Sequence, residues 1–132
     1  MLRLPHGRVL LIVGWLLVLT IILGSLIPAM PRVGIAQGDK ILHFLGYFSL
    51  TLWFAGLYPP RRLWLIALGF IFMGGMLEIL QGVLSAGREM DIYDFAVNTV
   101  AIASACLAAL MGLSQWSTRL EAWLTRRPAR QE

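Results

Sequence analysis

Polar residues able to do chemistry enter this chain in short groups, each at the edge of a long apolar stretch. Asp39, Lys40, His43 and Tyr47 open one stretch, and Glu78 and Gln81 close the next. Arg88, Glu89, Asp91, Asp94 and Asn98 lead into the last. The spacing is helical. Asp39, His43 and Tyr47 stand at i, i+4 and i+8, Glu78 and Gln81 at i and i+3, and Asp91, Asp94 and Asn98 at i, i+3 and i+7. Each set therefore lies on one face of its helix.

These residue types suit two kinds of chemistry. His43 with Asp39, and Glu78 opposite, has the parts of a general acid–base system, so these are the candidate catalytic residues. Asp39, His43, Glu78, Asp91 and Asp94 offer imidazole and carboxylate ligands for a divalent cation. The same groups also suit binding without catalysis. Arg88 and Lys40 would neutralise a phosphate, while His43, Gln81 and Asn98 donate hydrogen bonds to it. No Ser, Cys or Thr stands out as a nucleophile, and no His-Glu-x-x-His zinc signature occurs.

Each residue also has a purely structural explanation. Asp39 and Asp91 suit helix N-caps, and Lys40 could snorkel to headgroups. Glu78 could pair with Lys40 or Arg88, and the polar stripes together could be hydrogen-bonding glue between helices. Ionisable groups within a membrane are costly and usually mark function, which favours a ligand or catalytic site.

The elements that position these residues follow from hydropathy. The chain has 132 residues, is 58% hydrophobic and 14% charged, and has a mean hydropathy of +0.75. Apolar stretches at about 9–27, 41–58, 63–83 and 92–113 are each long enough to cross a bilayer. The expectation is one all-α domain over 1–132, a polytopic four-helix transmembrane bundle. In an antiparallel bundle all the polar groups reach the same side of the membrane. The first stretch also resembles a signal peptide with Arg3 and Arg8 ahead of it. Its apolar core is too long for an h-region, and Pro31 follows Ala29-Met30 directly, so an uncleaved helix is expected.

Orientation follows from the 11 Lys and Arg residues. With both termini cytoplasmic, Arg3, Arg8, Arg61, Arg62, Arg119, Arg126, Arg127 and Arg130 lie inside, and only Arg32, Lys40 and Arg88 lie outside. The polar cluster then faces the extracytoplasmic side. The net charge of +4 reads as orientation and attraction to anionic lipid, since no nucleic-acid motif accompanies it. Trp116, Leu120, Trp123 and Leu124 form one stripe at i, i+4, i+7 and i+8, with Arg119, Arg126 and Arg127 off it. That pattern predicts a short amphipathic helix in the cytoplasmic interface. The single cysteine, Cys106, lies among Ala and Leu and reads as a small buried residue.

The polar residues, taken in order, resemble the VanZ-like family of small bacterial membrane proteins. The resemblance rests on Asp39-Lys40-x-x-His43-Phe44-x-x-Tyr47, Glu78-x-x-Gln81 and Gly87-Arg88-x-x-Asp91-x-x-Asp94-x-x-x-Asn98. It covers residues 39–98. Asn98 is followed by Thr99, Val100 and Ala101, where the family usually has a glycine after the Asn. The resemblance implies a protein of the bacterial inner membrane and cell envelope, linked through the family's namesake to teicoplanin sensitivity.

The first functional expectation is a cup that binds a lipid headgroup or a lipid-linked cell-wall precursor. Its ligand-binding residues would be Asp39, Lys40, His43, Tyr47, Glu78, Gln81, Arg88, Asp91, Asp94 and Asn98. The alternative is an intramembrane acid–base or metal-dependent enzyme acting on a lipid-linked phosphate. A transporter ranks last, because no charge lies in the cytoplasmic halves of the spans to line a path. A second copy or an envelope protein would be the protein partner, and no nucleic acid is expected.

Overall fold

Leucine, isoleucine, alanine and valine dominate the long stretches, and a backbone among such residues satisfies its hydrogen bonds within its own helix. The computed structural model describes residues 2, 4–26, 38–84 and 91–125. Arg88, the Arg126–Arg127 pair and most of the first and third inter-span loops lie outside the described residues. Among the described residues the regular elements are helices: α1 (Gly7–Leu26), α2 (Gly38–Leu57), α3 (Leu63–Leu84), α4 (Ile92–Leu110) and α5 (Trp116–Leu124). The first four are long and apolar enough to cross a membrane. At 20 residues each, α1 and α2 are about 30 Å long, close to a hydrocarbon thickness.

Local chemistry explains most helix ends. The α2 helix stops before Pro59, whose extended backbone (φ −65°, ψ 149°) leads into a 3₁₀ turn over Pro60–Arg62. Pro60 sits at the start of that turn, where a missing N–H costs little. Asp91 caps α4, its side chain accepting from the Tyr93 N–H at 2.8 Å. The expected fourth span to residue 113 is shorter, because α4 ends at Leu110. Gly112 follows at φ +102°, a conformation that favours glycine, and turns the chain into a 3₁₀ turn over Leu113–Gln115. Conversely, α2 begins at Gly38, ahead of the expected 41. Asp39 thus lies within its first turn, where a carboxylate complements the helix dipole.

The most deeply embedded helix is α2, which buries Tyr47, Leu50, Thr51, Phe54, Ala55, Gly56 and Leu57. Leu50 and Phe54 pack with Val18 of α1, with Phe70 and Met73 of α3 against them. Tyr47 packs with Ala101 and Ile102 of α4. Ala101, Ala105 and Ala109 are buried on one stripe of α4. Small residues at that spacing let two helices approach closely, which matters where burial from water cannot drive helix association. The outer faces of α1 and α3 leave large apolar side chains exposed, among them Ile12, Trp15, Leu16, Trp64, Leu68 and Phe72. Such a surface is far more apolar than water-facing proteins carry.

The helices alternate in direction, as side-chain contacts at each end establish. At one end the C-terminus of α1, the N-terminus of α2, the C-terminus of α3 and the N-terminus of α4 meet. There Gln81 Nε2 donates to the Ser25 carbonyl at 2.6 Å, and Lys40 reaches Asp91 and Asp94. At the other end α5 folds back on α2. Trp116 Nε1 donates to the Leu52 carbonyl at 3.2 Å, its ring centroid lies 4.5 Å from that of Trp53, and Ser117 Oγ donates to the Gly56 carbonyl. A side chain at Gly56 would overlap the Trp116 indole, so glycine is what lets α5 dock. The amino-terminal segment closes this end: the Leu2 N–H donates to the Leu57 carbonyl at 2.8 Å, and Glu121 accepts from the His6 N–H and pairs with His6 Nδ1, each at 2.8 Å.

The docking of α5 modifies the expected stripe. Its buried residues are Ser117 and Glu121, whereas Trp123 and Leu124 are exposed. The helix turns a polar flank to the bundle, because carbonyls at the end of α2 and the His6 donors need partners there.

Candidate functional site

The site is built from polar residues on the ends of α2, α3 and α4. Because these ends converge, stripes that are separate in sequence face one another. Glu78, Gln81, Asp94 and Asn98 are all nearly buried. The His43 side chain is 10% exposed. A buried polar cluster of this kind persists only when its members satisfy one another or a ligand.

Lys40 points inward rather than snorkelling outward. Its ammonium donates to Asp94 Oδ1 at 2.5 Å and to Asp91 Oδ2 at 2.9 Å, with its side chain 32% exposed. It also lies 6.0 Å from the centroid of the Tyr93 ring. This ammonium holds the Asp91 carboxyl below the usual carboxylate range, helped by the Tyr93 N–H. Pairing of Glu78 with Lys40, one of its two structural explanations, is replaced, since the carboxylates of α4 take the ammonium.

His43 likewise turns both ring nitrogens to α4 rather than to Asp39. Nδ1 lies 3.1 Å from Asn98 Oδ1, and Nε2 lies 3.8 Å from Asp94 Oδ2. The Asp39–His43 dyad expected from i, i+4 spacing gives way to a contact across helices. Asp39 and His43 instead share the wall of a cavity of about 350 Å³ between α1 and α2, together with Ser25, Leu42 and Tyr47. Tyr47 is almost fully buried and also belongs to the apolar core.

Glu78 completes the group from α3. One of its oxygens accepts a long 3.4 Å hydrogen bond from the Asp91 N–H. It borders a smaller cavity of about 160 Å³ with Gly75, Asp91, Ile92 and Phe95. One ligand atom each from His43, Glu78 and Asp94 lie within 4.8 Å of one another. Gln81 does not join them, because its amide donates to the Ser25 carbonyl and ties α3 to α1.

The structure therefore brings Lys40, His43, Glu78, Asp91, Asp94 and Asn98 into one connected group, with Asp39 and Tyr47 along the adjoining cavity. Gln81 ties α3 to α1 through its amide nitrogen, and Arg88 lies outside the described residues. Sequence reading missed Ser25, whose carbonyl is the Gln81 acceptor, and the His6–Glu121 pair at the opposite end. No local signal marks that pair, whose members stand 115 residues apart. A further cavity of about 360 Å³ near that end is lined by residues such as Tyr58, Pro59, Pro60 and Leu110, with no Asp, Glu, His, Lys or Arg among the lining residues. It offers no comparable chemistry.

Comparison with known proteins finds no matching family model, no similar curated protein and no similar solved structure.

Proposed function

We propose that this chain is a VanZ-like, multi-pass protein of the bacterial cytoplasmic membrane whose polar cup takes the phosphate-bearing headgroup of a lipid or a lipid-linked cell-wall precursor. The observation that carries this reading is the cavity of about 350 Å³ at the polar end. Ile21 and Leu42 supply apolar wall, and Ser25, Asp39, His43 and Tyr47 supply polar groups. An amphipathic ligand with a polar head on a hydrocarbon chain suits such a lining.

Both termini are cytoplasmic in this reading, which follows the Lys and Arg distribution, and the cup opens on the extracytoplasmic side. Exposed Trp123 and Leu124, beside Arg119 on α5, suit a cytoplasmic interface. Family membership rests on the ordered set from Asp39 to Asn98, and with it comes an expected effect on teicoplanin sensitivity.

A second reading is an acid–base enzyme acting on a lipid-linked phosphate. What favours it is His43, held by Asn98 on one nitrogen and facing the buried Asp94 carboxylate with the other. The fate of the ligand separates the two: a lipid-linked phosphate incubated with the protein is recovered intact if it is only bound, and cleaved if His43 transfers protons.

The test is native mass spectrometry of the wild-type protein beside a His43→Ala/Glu78→Ala variant. A phospholipid or polyprenyl-phosphate adduct lost in the variant supports the cup. Equal adducts on two folded proteins would remove the basis for it. Reporter fusions at the carboxyl terminus check orientation: green fluorescent protein should fluoresce and alkaline phosphatase should stay inactive.

A further inference from the structure

We propose that His43, Glu78 and Asp94 hold one divalent cation of the zinc–manganese class. The inference deepens the phosphate-binding reading and rests on it for the cation's role, though the cation site stands on its own geometry.

The donors come from three helices, so their meeting is a product of tertiary packing and not of one acidic run. One ligand atom from each lies within 4.8 Å of the other two. Zinc bonds of about 2.0–2.2 Å at tetrahedral angles put ligand atoms about 3.4 Å apart. His43 Nε2 and Asp94 Oδ2, at 3.8 Å, need to close by only a few tenths of an ångström. The Glu78 oxygen, within 4.8 Å of the other two donors, must approach by up to about 1.4 Å.

The hydrogen bonds around the donors are those of a prepared site. The Asn98 carbonyl faces His43 Nδ1 and holds it as the N–H. The lone pair of Nε2 then points at Asp94 Oδ2, itself an electron-pair donor. Across 3.8 Å, either a proton on the imidazole or a metal ion between the two groups removes the repulsion of the facing acceptors. Lys40 occupies the other Asp94 oxygen, Oδ1, and leaves Oδ2 for this purpose. Outer groups that fix the tautomer of a ligating imidazole and engage the second oxygen of a ligating carboxylate are the usual support of a metal site.

Charge points the same way. Glu78 and Asp94 are 4% and 6% exposed. A buried carboxylate that keeps its charge requires pairing or a metal. Among the described residues Lys40 is the one ammonium or guanidinium in contact with the cluster, and both of its contacts go to α4. A dication offsets Glu78 and Asp94 together. One imidazole and two carboxylates suit zinc or manganese better than magnesium, which keeps most of its waters. Three protein ligands leave a coordination position open, and a phosphate oxygen fits it. A carboxylate-rich cup can then bind an anion that it would otherwise repel.

The test uses the full chain in detergent, stripped with chelator, loaded with Zn²⁺ or Mn²⁺, desalted and analysed for metal. The expected result is about one zinc per chain, as for a three-ligand site. Asn98→Leu, which removes the group orienting His43, should weaken zinc binding about 10–100-fold. His43→Gln, Glu78→Gln and Asp94→Asn should weaken it further, with circular dichroism and gel filtration confirming folded protein. Co²⁺ added to the wild type gives visible d–d bands if the site exists, and this readout needs no variant. A wild type that retains neither zinc nor manganese and shows no cobalt bands overturns the proposal, as does equal retention in folded variants. The phosphate reading is tested separately with phosphatidic-acid nanodiscs, with and without EDTA. Metal retained without preference for phosphatidic acid over phosphatidylcholine keeps the cation and removes the phosphate role. A preference that survives EDTA and His43→Gln keeps the phosphate role and removes the cation.

Discussion

Neutralising one member of the Lys40–Asp94 pair is the sharpest probe of how the polar end is held together. The ammonium lies 2.5 Å from Asp94 Oδ1 and 2.9 Å from Asp91 Oδ2. The Asp94 side chain is 8% exposed, whereas those of Lys40 and Asp91 are 32% and 38% exposed. Fully exposed pairs contribute about 0–1 kcal/mol, and breaking fully buried ones costs about 3–5 kcal/mol. With one end buried and the other near the surface, Asp94→Asn should cost about 1–3 kcal/mol. Lys40→Met should cost more, because it leaves the buried Asp94 carboxylate facing His43 without its ammonium. The double variant should be less damaged than the sum of the two, with a coupling of about 1–2 kcal/mol. The assay is unfolding of the purified protein in mixed micelles by increasing SDS, followed by circular dichroism. Additivity within about 0.5 kcal/mol would refute the reasoning and make the pair incidental.

Gly56→Ala forces the Trp116 indole off its place between the end of α2 and Trp53, and should cost about 1–3 kcal/mol through overpacking. Faster hydrogen exchange in α5, with α4 unchanged, is the expected readout. Docking of α5 should also depend on pH. Pairing with His6 holds the Glu121 carboxyl below its usual range, so its contribution is present above the unfolded carboxylate value and lost as pH falls through the folded one. Limited proteolysis between pH 7 and pH 3 should show α5 released at the acid end, and Glu121→Gln should flatten the profile. Thr51 Oγ1 is buried and has no hydrogen-bond partner among the described residues. Thr51→Val removes that unsatisfied hydroxyl and should leave SDS resistance unchanged or raise it, by about 1 kcal/mol at most. A clear loss would mean that the hydroxyl has a partner.

Much of the architecture is legible in the residues themselves. Long apolar runs mark helices able to cross a membrane, since every backbone group in such a run must be satisfied within the helix. Pro59-Pro60 marks a break for reasons local to its own backbone, whereas Gly112 falls inside the apolar stretch 92–113 and only the structure, with its φ of +102°, ends the helix ahead of it. Helical spacing groups Asp39, His43 and Tyr47, and again Asp91, Asp94 and Asn98, on single faces. Antiparallel order then carries both groups to the same end as Glu78. None of this needs knowledge of which helix touches which.

The pairings were decided by tertiary structure alone. His43 faces Asn98 and Asp94 rather than Asp39, four residues away, because α2 is rotated to bury Tyr47 and Leu50 against its neighbours. Lys40 bonds residues 51 and 54 positions further along the chain, and Gln81 bonds Ser25 across 56. Such contacts depend on the rotation and axial register of each helix, which the buried alanines of α4 and the close approach at Gly56 set. The sequence determined which residues share a face and which end they reach. Packing decided which of those faces meet, because that choice is made by side-chain shape between helices and leaves no period within any one of them.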